Sequence, residues 1–64
     1  MSAIGNVVLK SDDLEVMCWT WQDGEHGTWD TYEVRNDDGD AVVFESLGHL
    51  KAFARELLKI GGHQ

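Results

Sequence analysis

Proline is absent from this chain, and cysteine occurs once, as Cys18. A lone thiol excludes an intrachain disulfide framework, and inside a strand it behaves as a small hydrophobe. Its isolation also suits a reducing compartment. Cations are scarce too: five Lys and Arg stand against twelve Asp and Glu, giving a formal net charge of -7 and a pI near 4.5. That balance argues against nucleic acid as a partner, because phosphate binding needs a basic stripe that releases counterions. Lys51, Arg55 and Lys59 form the one cationic cluster, spaced along a single predicted helix as a solvated face. No stretch approaches the roughly 20 apolar residues of a membrane span. The opening Met1-Ser2-Ala3-Ile4-Gly5-Asn6 has no basic region followed by an apolar run. A soluble, cytoplasmic protein is the expectation.

Length is the other shortage. At 64 residues the chain is expected to form one domain, residues 1–64, and a domain of this size buries only about 60% of its unfolded surface. So small a core rarely contributes more than about 3–5 kcal/mol, and short natural chains often add a metal, disulfides or oligomerisation.

What is present is concentrated between Leu14 and Asn36, which holds all three tryptophans. Two amphipathic strands are predicted there, joined by Gln22-Asp23-Gly24-Glu25-His26-Gly27. Setting Trp21 opposite Trp29 places Trp19 opposite Thr31, Met17 opposite Glu33, and Glu15 opposite Arg35 as a cross-strand ion pair. Strand side chains alternate faces, so Leu14, Val16, Cys18, Tyr32 and Val34 share an apolar face. Met17, Trp19, Trp21 and Trp29 share the other with Glu15, Glu33 and Arg35. A slip of one residue would exchange the two faces.

Ahead of this hairpin, Ile4 to Lys10 contains the apolar run Val7-Val8-Leu9 and turns at Ser11-Asp12-Asp13, as a first strand does. Beyond it lies Asn36-Asp37-Asp38-Gly39-Asp40, in which Asp38-Gly39 suits a type I′ turn. Such a turn sets Val34 opposite Val43, Arg35 opposite Val42 and Glu33 opposite Phe44. Val43 then joins the apolar face, and Val42 and Phe44 join the tryptophan face. Ser46 is the expected N-cap of a helix from about Leu47 to Ile60. Leu47, Leu50, Phe53, Ala54, Leu57 and Ile60 form its apolar stripe, and Gly61 and Gly62 supply its stop. The predicted fold class is α+β: a four-stranded antiparallel meander with one C-terminal helix laid across it (β-β-β-β-α). In element order alone this resembles a family of single-stranded-DNA-binding coactivators. No motif here matches the basic, aromatic binding face of those proteins, so the family is not assigned.

One helix covers one sheet face, yet both faces carry large apolar residues. An uncovered patch of that kind marks an association surface, and tryptophan is a common anchor at interfaces. Homodimerisation through an apolar sheet face is therefore expected. Trp19, Trp21, Trp29 and Phe44 are the candidate apolar contacts. Asp37, Asp38 and Asp40, at the same end of the meander as Asp12 and Asp13, are the candidates for steering a protein partner with a basic surface. The plain alternative is that turn aspartates serve local hydrogen bonding. The aspartate turn lacks the ligand spacing and later glutamate of a calcium loop. His26 and His49, at the other end, lack companions for zinc, since Cys18 lies mid-strand and His63 in the tail. No metal or cofactor is expected.

Nor does a catalytic set emerge. Ser46 is accounted for as a cap, Ser11 belongs to a turn, Asp30 and Glu33 point to opposite faces, and so small a fold offers little concavity. The expected function is that of a small acidic, non-enzymatic interaction protein. By analogy of size and charge, it would regulate or inhibit a nucleic-acid-handling protein, as phage and mobile-element products do. The alternative is a single-stranded nucleic-acid or carbohydrate module that uses the tryptophans as a stacking platform.

Overall fold

The computed structural model describes residues 1–61. Strands β1 (Ser2–Lys10), β2 (Leu14–Asp23), β3 (Gly27–Asn36) and β4 (Ala41–Phe44) are followed by helix α1 (Leu47–Gly61). The strands form one antiparallel sheet in chain order, so β1 and β4 are its edges. This is the α+β meander with a C-terminal helix that the pattern predicts, with β1 beginning two residues earlier than expected.

The central hairpin keeps the expected register throughout: Trp21 pairs with Trp29, Trp19 with Thr31, Met17 with Glu33, and Glu15 with Arg35. Arg35 Nη2 donates to Glu15 Oε1 at 3.0 Å, so the predicted ion pair forms. Strand β1 sets Ala3, Gly5 and Val7 against Trp21, Trp19 and Met17. A bulge follows, because Val7 pairs with Met17 while Leu9 pairs with Val16, and Val8 is left as the extra residue. Bulges of this kind twist an exposed edge and hinder its pairing with another chain.

The last hairpin departs from expectation by one residue. Tyr32 pairs with Phe44, Glu33 with Val43, and Val34 with Val42. Val42 and Phe44 therefore lie on the Leu14 face, and Val43 lies on the tryptophan face. The cause is the turn. A type I′ turn needs two positive φ angles, but here Gly39 alone has one, at 91°. The connection is instead a three-residue loop, Asp37-Asp38-Gly39, in which Gly39 N–H donates to the Asn36 carbonyl (3.3 Å) and Asn36 N–H donates to that of Asp40 (3.1 Å). Asn36 Oδ1 accepts N–H bonds from both Asp38 and Asp40 at 3.0 Å, closing the loop from inside. One more loop residue shifts the strand by one position and turns every side chain over.

The helix also departs from expectation. It does not lie across the sheet, and Lys51 to Ile60 are exposed throughout. Its anchor is Phe53, tilted 45° against Phe44 with ring centroids 5.3 Å apart. Only Glu45 and Ser46 join β4 to α1, and β4 is four residues long, so the helix leaves from mid-sheet. The result is a particle of 49 × 22 × 16 Å. Met17, 8% exposed, is the one buried hydrophobic residue among those described.

Ser46 is the helix cap, its Oγ accepting the His49 N–H at 3.1 Å. Ser46→Ala is expected to cost about 1 kcal/mol of helix stability. Helical ellipticity on heating checks this, and an unshifted melt would remove the cap from the account. Gly62 and His63 lie outside the described residues.

Candidate functional site

The structure brings the three tryptophans together and leaves Phe44 apart. On the tryptophan face two of the three indoles are held by hydrogen bonds. Trp19 Nε1 donates to Glu33 Oε1 at 2.9 Å, and Trp21 Nε1 donates to Thr31 Oγ1 at 2.9 Å. Trp21 and Trp29 stack with centroids 6.4 Å apart and planes 10° from parallel. Trp19 leans the other way, over Gly5 of β1, where a Cβ atom would meet its ring at 2.7 Å. Residues Trp19, Trp21, Thr31, Glu33 and Val43 surround a shallow hollow of about 270 Å³. Phe44, expected on this face, sits on the opposite one, against Phe53.

Neither Gly5 nor Thr31 is singled out by the sequence. A glycine inside an edge strand is the available signal for Gly5, because it often marks a close approach. Thr31 is recoverable from the register, as the residue diagonal to Trp21.

Charges on this face form a chain. Lys10 Nζ lies 3.9 Å from Glu15 Oε2, Arg35 bonds Glu15, and Arg35 Nε stands 3.7 Å from Glu33 Oε1. Arg35 Nε is buried without a hydrogen bond. Two cations and two carboxylates are thus paired off, which holds the middle of the face near neutrality.

The aspartates behave differently. Asp12 and Asp37, from two separate turns, line one hollow of about 330 Å³ together with Lys10, Glu15 and Arg35. Asp37, Asp38 and Asp40 belong to the adjoining loop. Among the described residues no salt bridge reaches Asp12, Asp13, Asp37, Asp38 or Asp40. They form no ion pair, whereas Glu15 and Glu33 do.

At the opposite pole His26 Nδ1 lies 2.7 Å from Asp23 Oδ2, and Asp23 Oδ1 accepts the Glu25 N–H at 3.0 Å. The Glu25 backbone bond, and then His26, hold the Asp23 carboxyl below its ordinary value of 3.8, against a small opposing effect of burial. The folded state thus favours the carboxylate, so its stabilising contribution is complete above 3.8 and fades as pH falls through the lowered value. Asp23→Asn should unfold at lower urea than the parent at neutral pH, with the gap narrowing once pH is well below 3.8. A gap independent of pH would place the effect in something other than ionisation. On the apolar face, the Tyr32 hydroxyl is raised above its ordinary value, chiefly by hydrogen bonding with Cys18 and then by burial.

Among the described residues no three His, Cys, Asp or Glu side chains gather into a metal-binding group, and no helix is long and apolar enough to cross a membrane. No family model, curated protein or solved structure matches the chain.

Proposed function

We propose that this chain is a non-enzymatic interaction protein that engages a macromolecule through a basic surface, with Asp37, Asp38 and Asp40 steering the approach. The observation that carries this reading is the difference in ion pairing. Glu15 and Glu33 are paired with Arg35 and Lys10, while among the described residues the aspartates of the two turns form no ion pair, and Asp12 and Asp37 line a common hollow. With seven negative charges in excess, such a pole projects a field that raises encounter rates with a cationic patch and falls with ionic strength. A regulator that masks the basic face of a nucleic-acid-handling protein has this character.

The test compares two charge-matched variants, Asp37→Asn/Asp38→Asn/Asp40→Asn and Glu25→Gln/Glu45→Gln/Glu56→Gln. Binding to immobilised poly-lysine is followed across a salt titration. The turn variant should lose several-fold more affinity than the control and show a shallower salt dependence. Equal losses would mean that net charge alone acts, and salt-independent binding would remove the steering role altogether.

The hollow between Trp19 and Trp21 favours a second reading, a carbohydrate platform, because indole faces stack on flat apolar surfaces. Quenching of tryptophan emission by an oligosaccharide, abolished in Trp21→Ala, would favour it. Quenching by an oligonucleotide instead would point to base stacking.

A further inference from the structure

We infer that the apolar face opposite the tryptophans is covered by a second copy of this chain, in a two-fold dimer in which the helix of each copy lies on the sheet of the other. Surface area is the first argument. The chain exposes 5069 Å², whereas a folded monomer of 7.2 kDa exposes ~4,100 Å² by the usual scaling. The excess of roughly 900 Å² matches the ~800 Å² that each partner contributes to a standard interface.

Shape is the second. The radius of gyration is 13.8 Å, against ~11 Å for a compact domain of this length and ~14 Å for one of twice the length. One chain already spans the dimension of a compact pair, so a second copy must pack alongside it.

The third argument is complementarity within one protomer. On the sheet, Leu14 and Val42 are about half exposed beside Val34 and Phe44. On the helix, Phe53 and Leu57 are 47% and 48% exposed, on the stripe expected to meet a sheet. Beyond the Phe44–Phe53 contact, the two-residue connection Glu45-Ser46 leaves these two apolar surfaces apart within one chain. A two-fold axis makes the exchange reciprocal, which is the self-complementarity an isologous interface requires. Charge agrees. Glu15, Glu33 and Arg35 lie on the tryptophan face, and on the seam side the one charge that the central hairpin carries is Asp30, toward the loop end opposite Thr20, which leaves the Leu14, Val34 and Val42 part of the seam apolar, as the core of an interface tends to be.

This inference goes beyond the acidic pole, which the seam borders: Leu14 lines the Asp12–Asp37 hollow, and Asp40 stands beside Leu14, Val34 and Val42. Neutral aspartate turns would leave dimerisation intact, and a monomer would leave salt-dependent binding intact.

Light scattering coupled to size exclusion, over a range of concentrations and at low and high salt, gives the mass. The parent chain should weigh twice 7.2 kDa at micromolar concentration and resist salt. Leu57→Asp should shift the midpoint of dissociation at least tenfold upward. Leu58→Asp, one residue along but 73% exposed, should leave it unchanged. If Leu57→Asp unfolds, isotope-filtered spectra of the mixed-labelled parent protein decide the matter. Contacts from Phe53 and Leu57 to Leu14 and Val34 of the other copy support the arrangement. A parent mass of 7.2 kDa at every concentration, a higher-order assembly, or sheet-to-sheet contacts alone would overturn it.

Discussion

Met17→Ala is expected to leave most of the chain unfolded in the absence of denaturant. Met17 is 8% exposed and pairs with Val7 on one side and Glu33 on the other. Truncating a buried methionine costs about 2–5 kcal/mol, while a fold of this size commonly has about 3–5 kcal/mol in total. The loss is thus comparable to the whole margin. Met17→Leu keeps the volume and should cost less than about 1.5 kcal/mol. Urea unfolding followed by tryptophan emission distinguishes the two, at fixed protein concentration because association stabilises the folded form. A parent-like midpoint for Met17→Ala would show that this position is not the centre of the core.

The second large effect is at Gly5. In an ordinary strand, replacing glycine by alanine stabilises, by about 0.4–1 kcal/mol, through reduced freedom of the unfolded chain. Here the added methyl would sit 2.7 Å from Trp19 Cζ3 and 2.9 Å from Cε3 and Cη2. The ring must lift, and its Nε1 bond to Glu33 is strained with it. Gly5→Ala is therefore expected to destabilise by about 1–3 kcal/mol, the usual cost of overpacking. The reversal of sign is the informative part. In a Trp19→Leu background the same methyl has room, and its cost should largely vanish, a coupling that a double-mutant cycle measures. Additive effects would break the link between the glycine and the indole.

Both predictions concern the face whose register the residues themselves reveal. Alternation in Leu14 to Asn36 and the charge match of Glu15 with Arg35 select one pairing, because a slip would bury Glu33 and expose Val34 together. Ser46 is legible for a similar reason: a hydroxyl directly before a helical stripe has one obvious task. Asp38-Gly39 misleads because the dipeptide suits both a two-residue turn and the end of a three-residue loop. The choice is made by Asn36, whose side-chain oxygen takes two amides at once. Side-chain geometry of that kind leaves no periodic trace. From it follows the misassignment of Phe44, which splits the predicted anchor set between two faces. The helix forms where its apolar spacing predicts, but a stripe says only that a surface is wanted, not whether it belongs to the same chain. Of the acidic site, composition shows the charge, while the engagement of Arg35 and Lys10 by Glu15 and Glu33 rather than by the turn aspartates emerges only when the strands are paired.

The stacked indoles have a consequence of a different kind. Trp21 and Trp29, with centroids 6.4 Å apart and planes 10° from parallel, are close enough for their electronic transitions to couple. The folded hairpin should then carry an exciton couplet in its circular dichroism that neither isolated indole has. Because the two residues face each other only in this register, the couplet reports strand alignment rather than helix content. The molecule thus contains its own optical gauge, able to separate fraying of the exposed helix from loss of the sheet.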